Sequence, residues 1–400
     1  MGILRPSRLR IRVLMAERIW FLKSISRALA VAVIALVTLP GRPAQASLAL
    51  LLEQPYGGLG RVNPTGHAAL YLDHVCAASP LQLRPCGPGE LGVVISRYDG
   101  IGNHDWLAIP LVPYLYAVDS AAEIPETMDR VQEAALRDAY RRRELEDLAP
   151  DLPDGRAPDG NWYELIGSAY DRTIYGFSVH TTPEQDARVI ALFNDRRNVE
   201  RYNGAFRNCA DFARVTINRL YPHAIRRNFV ADFGFTTPKQ VARGLTRYAK
   251  RHPQMGLHVF VVPQVKGSLP RSHPVQGITE GLIKRYGVPL IVLSPVATAV
   301  VFVAYMGHGR FDIPENAPVL DLRQQTALAE RAAREARQQP LDSGAIAEEG
   351  GGEWTRREGG LTAPLLAGPA GSALEMDSSV PEFLTVPPPT PEILRAPGSE

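Results

Sequence analysis

The chain has 400 residues, with 44 Lys or Arg against 42 Asp or Glu and a net charge of +2. That balance argues against a nucleic-acid binder or a strongly basic membrane-surface protein. The hydrophobic fraction of 45% is ordinary for a globular chain, and many of the 34 Gly and 34 Pro fall in the last hundred residues, where packed structure should stop.

Arg5, Arg8, Arg10, Arg12, Arg18 and Lys23 precede an apolar stretch at 28–39 (ALAVAVIALVTL). It is too short for a comfortable membrane span and suits the core of a secretion signal. Small residues follow at Ala44 and Ala46, the positions a signal peptidase reads. Residues 1–46 are therefore read as a signal peptide cleaved after Ala46. Met15 is an alternative initiator, and an uncleaved anchor is the alternative fate. No cysteine follows the apolar run, which excludes a lipoprotein anchor.

The next segments read as strands: GHAALYL (66–72) and LGVVISRY (91–98), joined as a hairpin through a loop that holds Cys76 and Cys86. Two cysteines ten positions apart in an exported chain read as a disulfide, which leaves Cys209 over. Residues 106–118 look strand-like, broken by Pro110 and Pro113. Pro125 opens a charge-dense helix to about Leu148, and 151–160 is a polar loop. Thr182, Pro183 and Gln185 mark a helix start with the pattern of a capping box. GLHVFVVP (256–263) reads as a last strand. Together these predict an α+β domain over 47–265.

Residues 266–287 then read as a juxtamembrane linker. Residues 288–306 (VPLIVLSPVATAVVFVAYM) carry no charge, and the spacing predicts a transmembrane helix, with a buried helix or strand pair as the alternative. Lys284 and Arg285 precede it and Arg310 follows, so basic residues do not fix its orientation. Residues 307–400 read as a mostly disordered Pro/Gly-rich tail with an isolated helix at 318–338. The expectation is one membrane span in the cytoplasmic (inner) membrane, the folded domain outside and the tail in the cytoplasm.

The chemical signal lies in YNGAFRNCADFARVTINRLYP (202–222). Asn208 suits an N-cap, Asp211 stands three residues on, and Pro222 stops the helix. Cys209, Phe212, Ala213, Thr216 and Leu220 share one helical face. A cysteine in a first helical turn lies at the positive end of the helix dipole, where a thiolate is favoured. His67 opens the first strand of the hairpin. A strand histidine set against a helix-start cysteine forms a nucleophile–base pair of the papain type.

GHAALYL followed by YNGAFRNCADF resembles the circularly permuted NlpC/P60 group of papain-like proteins. The Arg-Asn-Cys run after the TTPEQ helix start is similar to the DUF4105 type of envelope domain. The His-then-Asn-Cys order also resembles lecithin:retinol acyltransferase-like proteins. The likeness spans about residues 60–225. It implies a small antiparallel sheet packed on helices, with His67 as base and Cys209 as nucleophile. The third, polar member of such a site is expected on the strand paired with the histidine strand. Ser96, Asp99 and His104 are the candidates there, and Asn208 is read as a cap.

Two functions stay open. One is an envelope thiol hydrolase or acyltransferase acting on a peptide, lipoprotein or lipid acyl group. The other is a catalytically inactive papain-like module used for binding. No HExxH or paired-Cys spacing points to zinc. Residues 99–105 lack the downstream Glu of a calcium loop, and no GxSxG elbow occurs. No cofactor, metal or nucleic-acid partner is expected.

Overall fold

Ser47–Glu53 (SLALLLE) is apolar at consecutive positions rather than alternating ones, the pattern of a strand covered on both faces. In the computed structural model it is the inner strand β1 of a six-stranded sheet. The structure describes residues 46–338 except 58–63, 196, 200–201 and 230. The rest of the signal segment and the tail from 339 onward lie outside the described residues.

The strands are β1, β2 (His67–Leu72), β3 (Val75–Ser79), β4 (Gln82–Pro85), β5 (Val93–Ser96), β6 (Leu107–Pro110), β7 (Thr127–Met128), β8 (Ile174–His180), β9 (His258–Val262) and β10 (Lys266–Gly267). The helices are α1 (Leu111–Tyr116), α2 (Arg130–Glu144), α3 (Trp162–Leu165), α4 (Ser168–Asp171), α5 (Pro183–Asn194), α6 (Cys209–Leu220), α7 (Pro238–Arg251), α8 (Ile278–Leu293), α9 (Pro295–His308) and α10 (Leu322–Gln338).

The main sheet runs β6-β5-β2-β1-β8-β9, each neighbouring pair antiparallel. Strand alternation divides the core into two layers. Leu48, Leu50 and Leu52 of β1 and Ala68, Leu70 and Leu72 of β2 face a layer built by α5, α6 and α7. Ala49, Leu51, Ala69 and Tyr71 face the opposite layer, built with α1 and residues 165–170. Local signals explain the helix starts. Thr182 and Gln185 form the capping box of α5, Asp129 caps α2 through the amides of Val131 and Gln132, and Thr237 caps α7.

Several expectations shift. Only Leu107–Pro110 of the strand-like stretch 106–118 pairs in the sheet, and Leu111–Tyr116 is helical. The loop joining β2 to β5 contains a two-stranded ribbon of its own, β3 with β4, closed by a disulfide between Cys76 and Cys86 with Cα atoms 4.9 Å apart. A ten-residue crosslinked loop restricts the unfolded chain. Replacing both cysteines by Ser is expected to cost about 2–3 kcal/mol, read as a lower midpoint in denaturant under oxidising conditions.

The expected fold class does not stand, because its transmembrane helix is absent: among the described residues no helix is long and apolar enough to cross a membrane. The apolar run 288–306 is split between α8 and α9. Ser294 is extended (φ −156°, ψ 87°), and Pro295 starts the second helix. The cause is local: proline disfavours helical geometry in the residue before it and supplies no amide to the preceding turn. What the chain forms is a mixed α/β fold around an antiparallel sheet.

The domain also runs past residue 265. β10 pairs in parallel with β7. The His273 amide donates to the Pro55 carbonyl and that of Gln276 to Pro64. At the sheet edge the Val261 amide donates to the Pro318 carbonyl and the Leu320 amide to the Val261 carbonyl, and Leu322 and Ala333 of α10 are buried. The segment read as an isolated helix therefore packs on the domain.

Candidate active site

His67 is the first residue of β2 and lies opposite Glu53 in the β1–β2 register. The turn that delivers it requires Gly66. Its φ of +71° is left-handed, and a Cβ there would stand 2.0 Å from the Glu53 carbonyl oxygen. His67 and Glu53 share the alternation of residues that face the α1 layer. Cys209 comes from the opposite layer, as the first residue of α6, which packs against β2. The two meet at the end of the sheet, where the Cys209 thiol interacts with His67.

Asn208 holds the start of that helix. Its side-chain oxygen accepts from the Asp211 amide at 2.9 Å, and its Nδ2 donates to the carbonyls of Gly204 and Thr236, each at 3.1 Å. Asp211 closes no capping box. Its carboxylate instead accepts from the Thr236 hydroxyl at 2.7 Å and from Arg227 at 3.0 Å. Among the described residues the amides of Cys209 and Ala210 have no acceptor, leaving two N–H groups at the helix start beside the thiol.

The two ring nitrogens of His67 face different partners. Nδ1 lies 3.3 Å from the Glu164 carboxylate. Nε2 lies 3.1 Å from the Ser96 hydroxyl, which itself donates to the Ala68 carbonyl at 2.7 Å and so is free to accept. An acceptor on each side suits an imidazolium. Burial works to push the His67 pKa down, but the charges of Glu164 and Cys209, a hydrogen bond to Cys209 and Glu53 together raise it to about 9. Tyr98 stacks on the ring, with centroids 5.7 Å apart. Its hydroxyl is buried and has no hydrogen-bond partner among the described residues, near Glu53, Glu164 and Cys209.

A second tier supports this centre. Arg172 Nη1 lies 3.2 Å from Glu53, and both side chains are buried. The Tyr114 hydroxyl also hydrogen-bonds Glu53. The Arg172 guanidinium lies 4.6 Å from the ring centre of Tyr56 and 5.8 Å from that of Tyr163, the neighbour of Glu164. Tyr202 closes the other side: its pKa is pushed up by burial, then by the charges of Cys209 and Glu164.

The structure thus brings His67 and Cys209 together and sets Ser96 on His67. Asp99 is not among the groups that act on His67, and His104 meets the Asn198 carbonyl instead. Sequence reasoning missed Glu164, Glu53, Arg172 and Tyr98. Among the described residues, the side chains near enough to share an ion are Cys76, Cys86 and Glu90, and the disulfide takes two of the three. No family model matches the chain, and no curated protein or solved structure matches it.

Proposed function

We propose that this is a thiol hydrolase or acyltransferase of the cell envelope, with Cys209 as nucleophile, His67 as proton donor and acceptor, and Glu164 and Ser96 holding the imidazole. The observation that carries the reading is the convergence of a helix-start thiol with a histidine flanked by a carboxylate and a hydroxyl. The likeness to permuted NlpC/P60 domains favours the same roles. The Cys76–Cys86 disulfide favours an oxidising compartment, in line with export.

In this reading the resting proton is on His67. The Cys209 sulfur bonds to the carbonyl carbon of an amide or ester, and the oxygen takes up the negative charge. The free amides of Cys209 and Ala210 and the Tyr98 hydroxyl are the donors available to it. As the C–N or C–O bond breaks, His67 passes its proton to the leaving amine or alcohol. Water, or an acceptor alcohol or amine, then attacks the thioester and returns a proton to His67. The acyl group leaves and the thiol site is restored.

Alkylation of the full chain with iodoacetamide across pH 5.5–9 tests the pair. At pH 6.5 the rate at Cys209 is expected to fall about tenfold in His67→Ala, and labelling there to vanish in Cys209→Ser. Equal rates with and without His67 would overturn the reading.

A second reading is an inactive binding module. It is favoured by closure of the site, since Cys209 is 9% exposed and His67 1%. Strong thiol reactivity that depends on His67 would count against it.

A further inference from the structure

The split apolar run forms a helical hairpin whose two ends return to one place. At its start, the Ile278 amide donates to the Asp232 carboxylate at 3.0 Å and the Thr279 amide to the Ala231 carbonyl at 3.2 Å. At its end, Arg243 donates to the Gly307 carbonyl at 3.4 Å, and Gly309 packs against Ala231. The Tyr305 side chain of α9 lies against the Glu280 carboxylate of α8, which Lys239 also holds at 2.7 Å. Residues early in α8 and late in α9 are therefore neighbours, and the turn at Ser294 and Pro295 is the far tip.

The arm beyond that foot is apolar and uncovered. No Asp, Glu, Lys or Arg occurs between Arg285 and Arg310. Val292 is 78% exposed, Val296 75% and Val303 69%, with Val300, Phe302 and Met306 also exposed. Val296, Val300 and Val303 lie along one face of α9, and Phe302 and Met306 along another. A helix apolar on more than one face is made to be surrounded by apolar matter. Water is a costly neighbour for it.

The foot has the opposite character. Lys284, Arg285 and Arg310 stand at the two ends of the uncharged run, with Lys284 2.9 Å from Glu280 and Arg310 3.3 Å from Asp312. Phe229 and Phe233 are exposed aromatic residues on either side of Ala231 and Asp232, which hold the start of the hairpin, and Arg285 is 5.6 Å from the Tyr286 ring centre. Cations and aromatic rings at the root of an apolar arm match the headgroup layer of an anionic bilayer.

The lengths fit insertion into one leaflet. From Arg285 to the tip is about 13 Å at the helical rise. The hydrocarbon core is about 30 Å thick, so one leaflet is roughly half of that. A hairpin satisfies its backbone bonds internally except at the tip, where Pro295 contributes no N–H, and at Pro289 inside α8, which offers no helical N–H to the Arg285 carbonyl at the root.

We propose that α8 and α9 form a membrane-dipping hairpin that seats the domain on an anionic lipid surface by entering a single leaflet. The arm does not cross: both of its ends remain with the domain. This proposal does not depend on the thiol chemistry, and its test reads only the hairpin.

The test uses the full chain with Ser294→Cys in a Cys209→Ser background, labelled with an environment-sensitive fluorophore. Vesicles of phosphatidylglycerol and phosphatidylcholine are added. The expected result is a blue-shifted label, quenched at least about threefold more by lipids brominated on the acyl chain than by aqueous iodide. Val296→Asp with Val300→Asp, both at exposed sites, should abolish the shift while thermal unfolding of the domain is unchanged. A label that stays iodide-accessible overturns the proposal. So does a label reached by an impermeant quencher trapped inside the vesicles, which would mean full crossing. A shift that follows protein concentration without lipid also overturns it and assigns the surface to a second copy of the chain.

Discussion

Glu164→Gln is expected to lower the alkylation rate of Cys209 at pH 6.5 by about tenfold, close to the effect of removing His67 itself. The substitution keeps the shape of the side chain and removes its charge. The Glu164 carboxylate is the first of the groups that oppose burial and keep the His67 proton in place. Without it, desolvation of the buried imidazole governs, and His67 becomes neutral at a lower pH. Combined with His67→Ala, Glu164→Gln should add almost nothing, because both changes remove the same interaction. Additive losses would show that Glu164 acts on the thiol by another route.

The same pair sets a pH dependence of stability. His67 is raised to about 9 in the folded protein, against about 6.5 in an unfolded chain. Between those values the folded state keeps the His67 proton that the unfolded state has released, so the contribution of His67 to stability falls as pH rises. The contribution is fully present below about pH 6.5 and is lost as pH passes through about 9, with a size on the order of 3 kcal/mol. Urea unfolding at pH 6 and pH 9.5 reads it. The wild-type midpoint should drop across this window, and Glu164→Gln should show a smaller drop, displaced to lower pH. Parallel curves for the two proteins would refute the coupling.

How much of this site the sequence carried depended on how local each signal was. The Thr182 capping box and the Asn208 cap are decided within four residues, and both stand as read. His67 and Cys209 could be singled out as candidates because each sits at the start of an element with a strong pattern. Strand pairing offered Ser96 only as one of three candidates, beside Asp99 and His104. Glu164 carried no such mark. It lies in a four-residue helix after a polar loop, and it reaches His67 only through contacts far away in sequence. Arg172 and Glu53 are 119 residues apart and read as ordinary charges until the sheet joins them. The membrane-span expectation failed for a different reason. Hydropathy averages over a window, whereas one dipeptide, Ser294-Pro295, decides whether the helix continues.

The largest loss of stability is expected from Arg172→Met, about 3–5 kcal/mol, equivalent to a melting point lower by roughly 5–8 °C for a domain of this size. The guanidinium and the Glu53 carboxylate are both buried, and each answers the charge of the other. Methionine fills similar space but leaves Glu53 with the Tyr114 hydroxyl as its remaining side-chain partner. The tyrosines that flank the guanidinium lose their cation as well. The cost thus comes from a stranded carboxylate more than from a lost attraction. Adding Glu53→Gln to Arg172→Met should therefore restore a large share of the stability, since a neutral amide is far cheaper to bury than an unpaired carboxylate. Thermal unfolding of the two single variants and the double variant forms the cycle. A change of less than about 1 kcal/mol in Arg172→Met would mean that water reaches Glu53 in the folded protein, and the dry polar network under His67 would have to be abandoned. Failure of the double variant to recover would instead place the loss in the tyrosine packing, which positions Glu164 through its neighbour Tyr163.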